Sequence, residues 1–227
     1  MSRRTDARAP VIAIDGPAAS GKGTVARGVA AALGFHYLNS GALYRAVALA
    51  ALERELDLEK ESTLSDIALN LDVEFDGKTV RLEGRDVSEA ILGENLGEVA
   101  SRIAALPAVR RALLERQRAY RQPPGLVADG RDMGTVVFPD AALKIFLTAS
   151  PEERARRRYN QLMEKGMSAN MGALLRDIRA RDERDSARAA SPLQRSPEAV
   201  LLDTTRMTAE EAIAQVLALY KRAPRAP

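Results

Sequence analysis

Residues Val11–Asp15, VIAID, form a short apolar run with β-branched members. Such a run reads as a buried strand. Gly16-Pro17-Ala18-Ala19-Ser20-Gly21-Lys22-Gly23-Thr24 follows at once, and Val25, Val29 and Leu33 then recur at i, i+4 and i+8, the spacing of one helix face. A strand, a loop of the form Gly-x-x-x-x-Gly-Lys and a helix make a P-loop in its required context. Gly16 and Gly21 permit backbone angles closed to other residues. Backbone N–H groups can then turn inward around phosphate oxygens, and the new helix adds the positive end of its dipole. Lys22 is placed to reach the β- and γ-phosphates of a nucleotide, and the Thr24 hydroxyl to face Mg²⁺ or phosphate. A glycine-rich turn that binds nothing is the bland alternative, and the strand, the lysine and the helix together weigh against it. Lys22 is followed by Gly23-Thr24 and not directly by Ser or Thr, a variant of the pattern.

The rest of the chain extends this opening into an α/β pattern. Tyr37–Ser40, the run up to Asp129 in LVADG, Leu143–Leu147 and Ala199–Asp203 read as four further strands, with helical periodicity between them. Five strands alternating with helices predict a parallel sheet covered on both faces. Ser40 is expected to cap a helix. Pro107 is expected to open another, and Gln122–Gly125, QPPG, to end it. Ser150-Pro151-Glu152-Glu153 starts one that stops near Gly166, and Thr208-x-x-Glu211 caps the last. The period changes over Val73–Leu82: Val73 and Phe75 alternate, Asp76-Gly77 marks a tight turn, and Val80 and Leu82 alternate again, a hairpin signature. A third strand is expected near Val87. Residues 64–97 are therefore read as a small inserted subdomain in a core of residues 11–63 and 98–221. Residues 1–10 and 222–227 are read as loose tails.

Composition narrows the functions available. The 227 residues carry 34 Lys plus Arg against 31 Asp plus Glu, a formal charge of +3, and aromatics are 4%. That balance gives neither the broad basic face nor the stacking residues of a nucleic-acid binder. With no cysteine and His36 the single histidine, disulfides, thiolate chemistry and Cys- or His-rich metal sites are excluded. No segment approaches ~18 consecutive apolar residues, and no signal-peptide core follows the charged N-terminus. A cytoplasmic protein without membrane partners is the expectation, and a monomer, since no interface signal stands out.

Three arginine-bearing clusters point to a second anion. Ser40 and Gly41 open a helix with Tyr44 and Arg45 one turn on; a plain helix cap with a solvated Arg would read the same. Asp129-Gly130-Arg131-Asp132 ends an apolar strand. An Asp there is placed as in a Walker-B strand to orient Mg²⁺, at the sheet edge where doubly wound folds bind ligands; a β-to-α turn capped by Asp129 is the alternative. Arg181, Asp185 and Arg188 follow at i, i+4 and i+7, with Arg184 beside them. A salt-bridged solvated face is common, but three arginines leave an excess of positive charge. Arg154, Arg157 and Arg158 form a similar set.

The segments GPAASGKGT, NSGALYR, ADGRDMGTVVFPDA, KIFLTAS and ERDSARAASPL together resemble bacterial-type cytidylate kinase, from about Val11 to Leu219. The resemblance implies a three-layer P-loop NTPase-type fold, with the hairpin insert as the nucleoside-monophosphate-binding subdomain and a short helical lid near residues 154–188. It implies γ-phosphoryl transfer from ATP to CMP or dCMP with Mg²⁺. By position, Gly16 to Thr24 would hold ATP, with Arg157 and Arg158 in the lid. Ser40, Tyr44, Arg45 and Arg131 would meet the CMP phosphate or its surroundings. Ser101, Arg110 and Asp132 would read the cytosine edge, Arg181 and Asp185 would hold the sugar, and Arg188 would face the phosphates. Lys22, Arg131, Arg188 and Asp129 would be the catalytic set, with Thr24 and Asp129 toward the metal. The chain departs from the family pattern at Ala18 and Ala19, where Ser and Gly are common, and at Asn39, where Asp is commoner. A P-loop kinase for another monophosphate, or a regulatory ATPase, would share the opening loop but not GRDMGTVVFPDA.

Overall fold

The computed structural model describes residues 8–76, 79–164 and 166–223. Residues 1–7 and 224–227 of the expected tails, and Gly77 of the expected hairpin turn, lie outside the described residues. The described residues form two compact units, those within 1–38, 119–187 and 191–227 in one and those within 39–118 and 188–190 in the other.

The first unit is built on a five-stranded sheet. Its strands are β1 (Val11–Asp15), β2 (His36–Asn39), β6 (Leu126–Gly130), β7 (Leu143–Thr148) and β8 (Val200–Asp203), in the order β2-β6-β1-β7-β8. β1 runs parallel to β6 and β7, and β7 parallel to β8. Every residue of β1 and β6 is buried, as expected of central strands covered on both faces. Helices α1 (Lys22–Leu33) and α8 (Ala209–Arg222) pack together so closely that a Cβ on Gly28 would meet Ile213 Cδ1 at 2.3 Å. Ile12, Ile14, Val25, Val29, Ile145, Leu202 and Val216 form the core between them and the sheet. Helices α6 (Pro151–Glu164) and α7 (Met171–Ala187) pair through Ala155, Leu162, Leu174 and Ile178.

The second unit holds α2 (Ser40–Glu53), α3 (Glu61–Leu69), α4 (Glu94–Ile103), α5 (Pro107–Ala119) and an antiparallel sheet of β3 (Val73–Asp76), β4 (Thr79–Leu82) and β5 (Arg85–Asp86). The third strand expected near Val87 is this short β5, after which the Val87 N–H donates to the Val80 carbonyl at 2.8 Å. α3 had no counterpart in the sequence reading.

Most termini fall where the capping chemistry places them. Ser150 Oγ accepts the Glu153 N–H at 3.2 Å, and Thr208 with Glu211 closes a full capping box. Two expectations need correction. Ser40 is not the cap of α2 but its first residue; Asn39 is the cap, its side-chain oxygen accepting the Ala42 N–H at 3.1 Å. The Asn carboxamide suits that position as well as Ser does. Arg188 is not on the helical face with Arg181 and Asp185, because α7 ends at Ala187.

Candidate functional site: the phosphate loop and its neighbours

The turn out of β1 is possible only because residue 16 is glycine. Its φ is +154°, and a Cβ there would lie 1.9 Å from the Leu147 carbonyl oxygen of the adjacent strand. Gly21 has φ +93° at the start of α1, where no side-chain cap is made. A helix whose first turn lacks a side-chain cap leaves its amides for an anion. Ala19 takes φ +56° with an ordinary side chain, a conformation glycine adopts at less cost. The loop is tied internally: Ser20 Oγ donates to the Pro17 carbonyl at 3.0 Å, and Lys22 Nζ to the same oxygen at 2.9 Å. Burial pushes the Lys22 ammonium down to about 7, helped by Arg131 and opposed by Asp129. Polyphosphate oxygens beside it would favour the charged form.

Two arginines of α6 brace the loop. Arg154 donates to the Ala18 carbonyl at 3.2 Å and pairs with Asp182. Arg157 donates to the Ser20 carbonyl at 3.0 Å and to the Thr204 carbonyl at 2.5 Å, with Glu153 on its Nε. Arg158 donates to Gln161 at 2.6 Å on the same helix.

Two carboxylates stand at the ends of the neighbouring strands, Asp15 last in β1 and Asp129 one residue before the end of β6. Asp129 is buried, and its Oδ2 accepts the Tyr37 hydroxyl at 2.6 Å. That oxygen would be 3.4 Å from a Cβ on Gly23, so Asp129 stands beside the Gly23-Thr24 segment of the loop. One carboxylate and one hydroxyl next to a phosphate cradle fit Mg²⁺, which keeps most of its waters and takes few protein ligands. Among the described residues no group of three or more His, Cys, Asp or Glu could hold a metal. Asp15 is also buried, and its two oxygens accept the Met133 and Gly134 N–H groups, each at 2.8 Å. Burial pushes its carboxyl up to about 6 against those two hydrogen bonds.

The first unit gathers further polar residues beyond the loop. Arg131 Nε donates to the buried Asp185 Oδ2 at 2.9 Å. Asp132 is buried directly after Arg131. Arg181 and Asp185 of α7, with Arg131 and Asp129, are charged groups that act on Lys22. The second unit gathers the others. The Arg110 guanidinium lies 5.8 Å from the Tyr44 ring centroid and donates to the Ala104 carbonyl at 3.0 Å. Arg45 donates to the Ile91 and Gly93 carbonyls at 2.7 and 2.9 Å. Ser40 and Ser101 are buried in α2 and α4, and Arg188 belongs to this unit.

The chain matches the family model for cytidylate kinase over residues 12–222. It belongs to the cytidylate kinase family. It is 57% identical to a cytidylate kinase of Nitrosomonas europaea over 96% of this chain and 97% of that one. It is 60% identical to one of Bordetella bronchiseptica, over 94% and 96%, and 56% identical to one of Aeromonas salmonicida, over 92% and 93%. Membership in the cytidylate kinase family agrees with the P-loop kinase architecture of the first unit.

The roles of some residues in this arrangement escaped the sequence reading. Asp15 left one signal, a carboxylate closing a wholly apolar strand. Asn39 left another, an N-cap residue type just before a helix. Tyr37 and Thr204 left none, because their partners lie 92 and 47 residues away.

Proposed function

We infer that the protein transfers the γ-phosphoryl group of ATP to CMP, and to dCMP, yielding the diphosphates and ADP. The observation that carries this is the strained phosphate loop with buried Lys22 at its mouth, in a chain of this family. An oxygen of the CMP α-phosphate attacks the γ-phosphorus in line while the bond to the β,γ-bridging oxygen breaks. That attacking oxygen is already anionic, so no strong general base is required. The protein contributes position and charge. The amides at the start of α1 and Lys22 hold the triphosphate. Thr24 and Asp129 would hold Mg²⁺, which supplies charge neutralisation at the phosphates when bound. Arg131 and Arg188 share the negative charge of the transferred group, and Arg157 and Arg158 belong to the lid segment over ATP. Ser40, Tyr44 and Arg45 serve the CMP phosphate, Ser101, Arg110 and Asp132 the cytosine edge, and Arg181 and Asp185 the sugar. Residues 64–97 serve as the monophosphate-binding insert and residues 154–188 as the lid. The enzyme is read as a monomer of the cytoplasm; no helix among the described residues is long and apolar enough to cross a membrane.

The test is to follow CDP and ADP from CMP and Mg-ATP by chromatography. Equimolar products are expected, and Lys22→Ala should lower turnover at least ~100-fold, as loss of one transition-state donor does. Turnover of Lys22→Ala within a few-fold of wild type removes Lys22 from this role.

A further inference from the structure

We infer that Asp15 is a positioning residue for selection of the acceptor base: its carboxylate clamps the turn that begins at Asp132. The inference rests on the reading of Asp132 as a residue that meets that base.

Asp15 is the last residue of β1, one position before the phosphate loop. Its two oxygens take the successive N–H groups of Met133 and Gly134, the two residues immediately after Asp132. Met133–Val137 is a single π-helical turn, a rare element that occurs mostly at functional sites. The Asp132 carbonyl accepts the Val136 and Val137 N–H groups at 2.9 and 3.2 Å, which closes the turn on itself. Met133, Val137 and Phe138 are buried and anchor its apolar side. The approach to Asp15 is tight: a Cβ on Gly134 would lie 3.4 Å from Asp15 Oδ2 and 3.2 Å from Lys144 Cγ.

A carboxylate is the one side chain of this length that offers a separate acceptor oxygen to each of two amides. A carboxamide presents one oxygen and one N–H₂ group, so Asp15→Asn would set a donor against one of the buried amides. A buried N–H left without an acceptor is costly, and a shift of the backbone toward another acceptor relieves that cost. Asp132, next to the first clamped amide, moves with it. The strand that ends in the phosphate loop thus also fixes the turn that directly follows Arg131 and Asp132. Displacements of ~1 Å in positioning groups can cost up to ~100-fold.

The experiment compares Asp15→Asn, Gly134→Ala and Asp132→Ala in full-length protein. It reads kcat/KM for CMP and UMP, the equilibrium Kd for ATP, and amide hydrogen exchange at Met133 and Gly134. Asp15→Asn is expected to lose protection at one of the two amides and to lower the CMP-to-UMP ratio about 10-fold, with the ATP Kd within about 2-fold of wild type. A residue that only stabilised the fold would lower the melting temperature and leave the ratio alone. If Asp132→Ala relaxes the ratio while Asp15→Asn loses protection and keeps it, the clamp does not act on selection and the inference fails. If Asp132→Ala itself keeps the wild-type ratio, the reading of Asp132 fails first. Should Asp15→Asn not fold, Gly134→Ala perturbs the same contact from the other side, and an unchanged ratio there overturns the inference.

Discussion

Strands β1 and β6 are neighbours with nearly the same ending, Ala13-Ile14-Asp15-Gly16 and Val127-Ala128-Asp129-Gly130, yet their carboxylates do opposite things. Asp129 holds a tyrosine hydroxyl and stands beside the phosphate loop; Asp15 holds two backbone amides of a distant turn. The register explains the division. Asp15 pairs with Gly130 and Asp129 with Ile14. Side chains alternate along a strand, and a one-residue offset puts two groups on opposite faces of the sheet. The two glycines differ too. Gly130 stays in the ladder opposite Asp15, whereas Gly16 turns out of it with φ +154° against the Leu147 carbonyl. Identical local chemistry acquires its role from the register and from what the chain does one residue later.

The largest expected effect breaks the comparison at the glycine. Gly16→Ala combines a forbidden φ with backbone overlap and should remove at least ~3 kcal/mol of stability. A urea midpoint unchanged from wild type would mean the turn is not as tight as described.

The carboxylates should separate by pH. Burial raises the Asp15 carboxyl to about 6 from 3.8, outweighing the lowering by Met133, Gly134 and Lys22, with Asp132 adding to the rise. The folded chain therefore binds this proton more readily than the unfolded chain. Stability from this group is present at low pH and is lost as pH rises from about 4 to about 6, by about 3 kcal/mol at most. Asp15→Asn has no such proton, so its stability deficit should narrow over that window. Denaturation at several pH values checks this, and a constant gap would refute it.

Smaller effects sharpen the other side. Tyr37→Phe removes the hydroxyl donated to Asp129 and should cost ~1 kcal/mol in thermal unfolding, with no change in the Met133 and Gly134 amides. Ala19→Gly relieves a left-handed alanine and should raise stability by ~1 kcal/mol, a gain readable in the melting temperature.

The two ends also show how far sequence carries. Both strands, the loop, Lys22 and Asp129 were legible, because a run of apolar residues and fixed glycine spacing are local signals. The hairpin of the second unit was legible for the same reason, through its change of period. Asp15's partners were not, since they lie 118 and 119 residues away and only the register brings them to it. The π-helical turn over Met133–Val137 has no period that five residues can reveal. The cap of α2 was misplaced by one residue because Asn39 and Ser40 are both good caps, and only the Ala42 N–H decides between them.

The measurement that bears most directly on the account is ADP formation from Mg-ATP with CMP, dCMP, UMP, AMP and dTMP in parallel, beside a control without acceptor. Strong turnover with CMP and dCMP and little with the others is the predicted result. ATP hydrolysis at the same rate with or without any acceptor would contradict it.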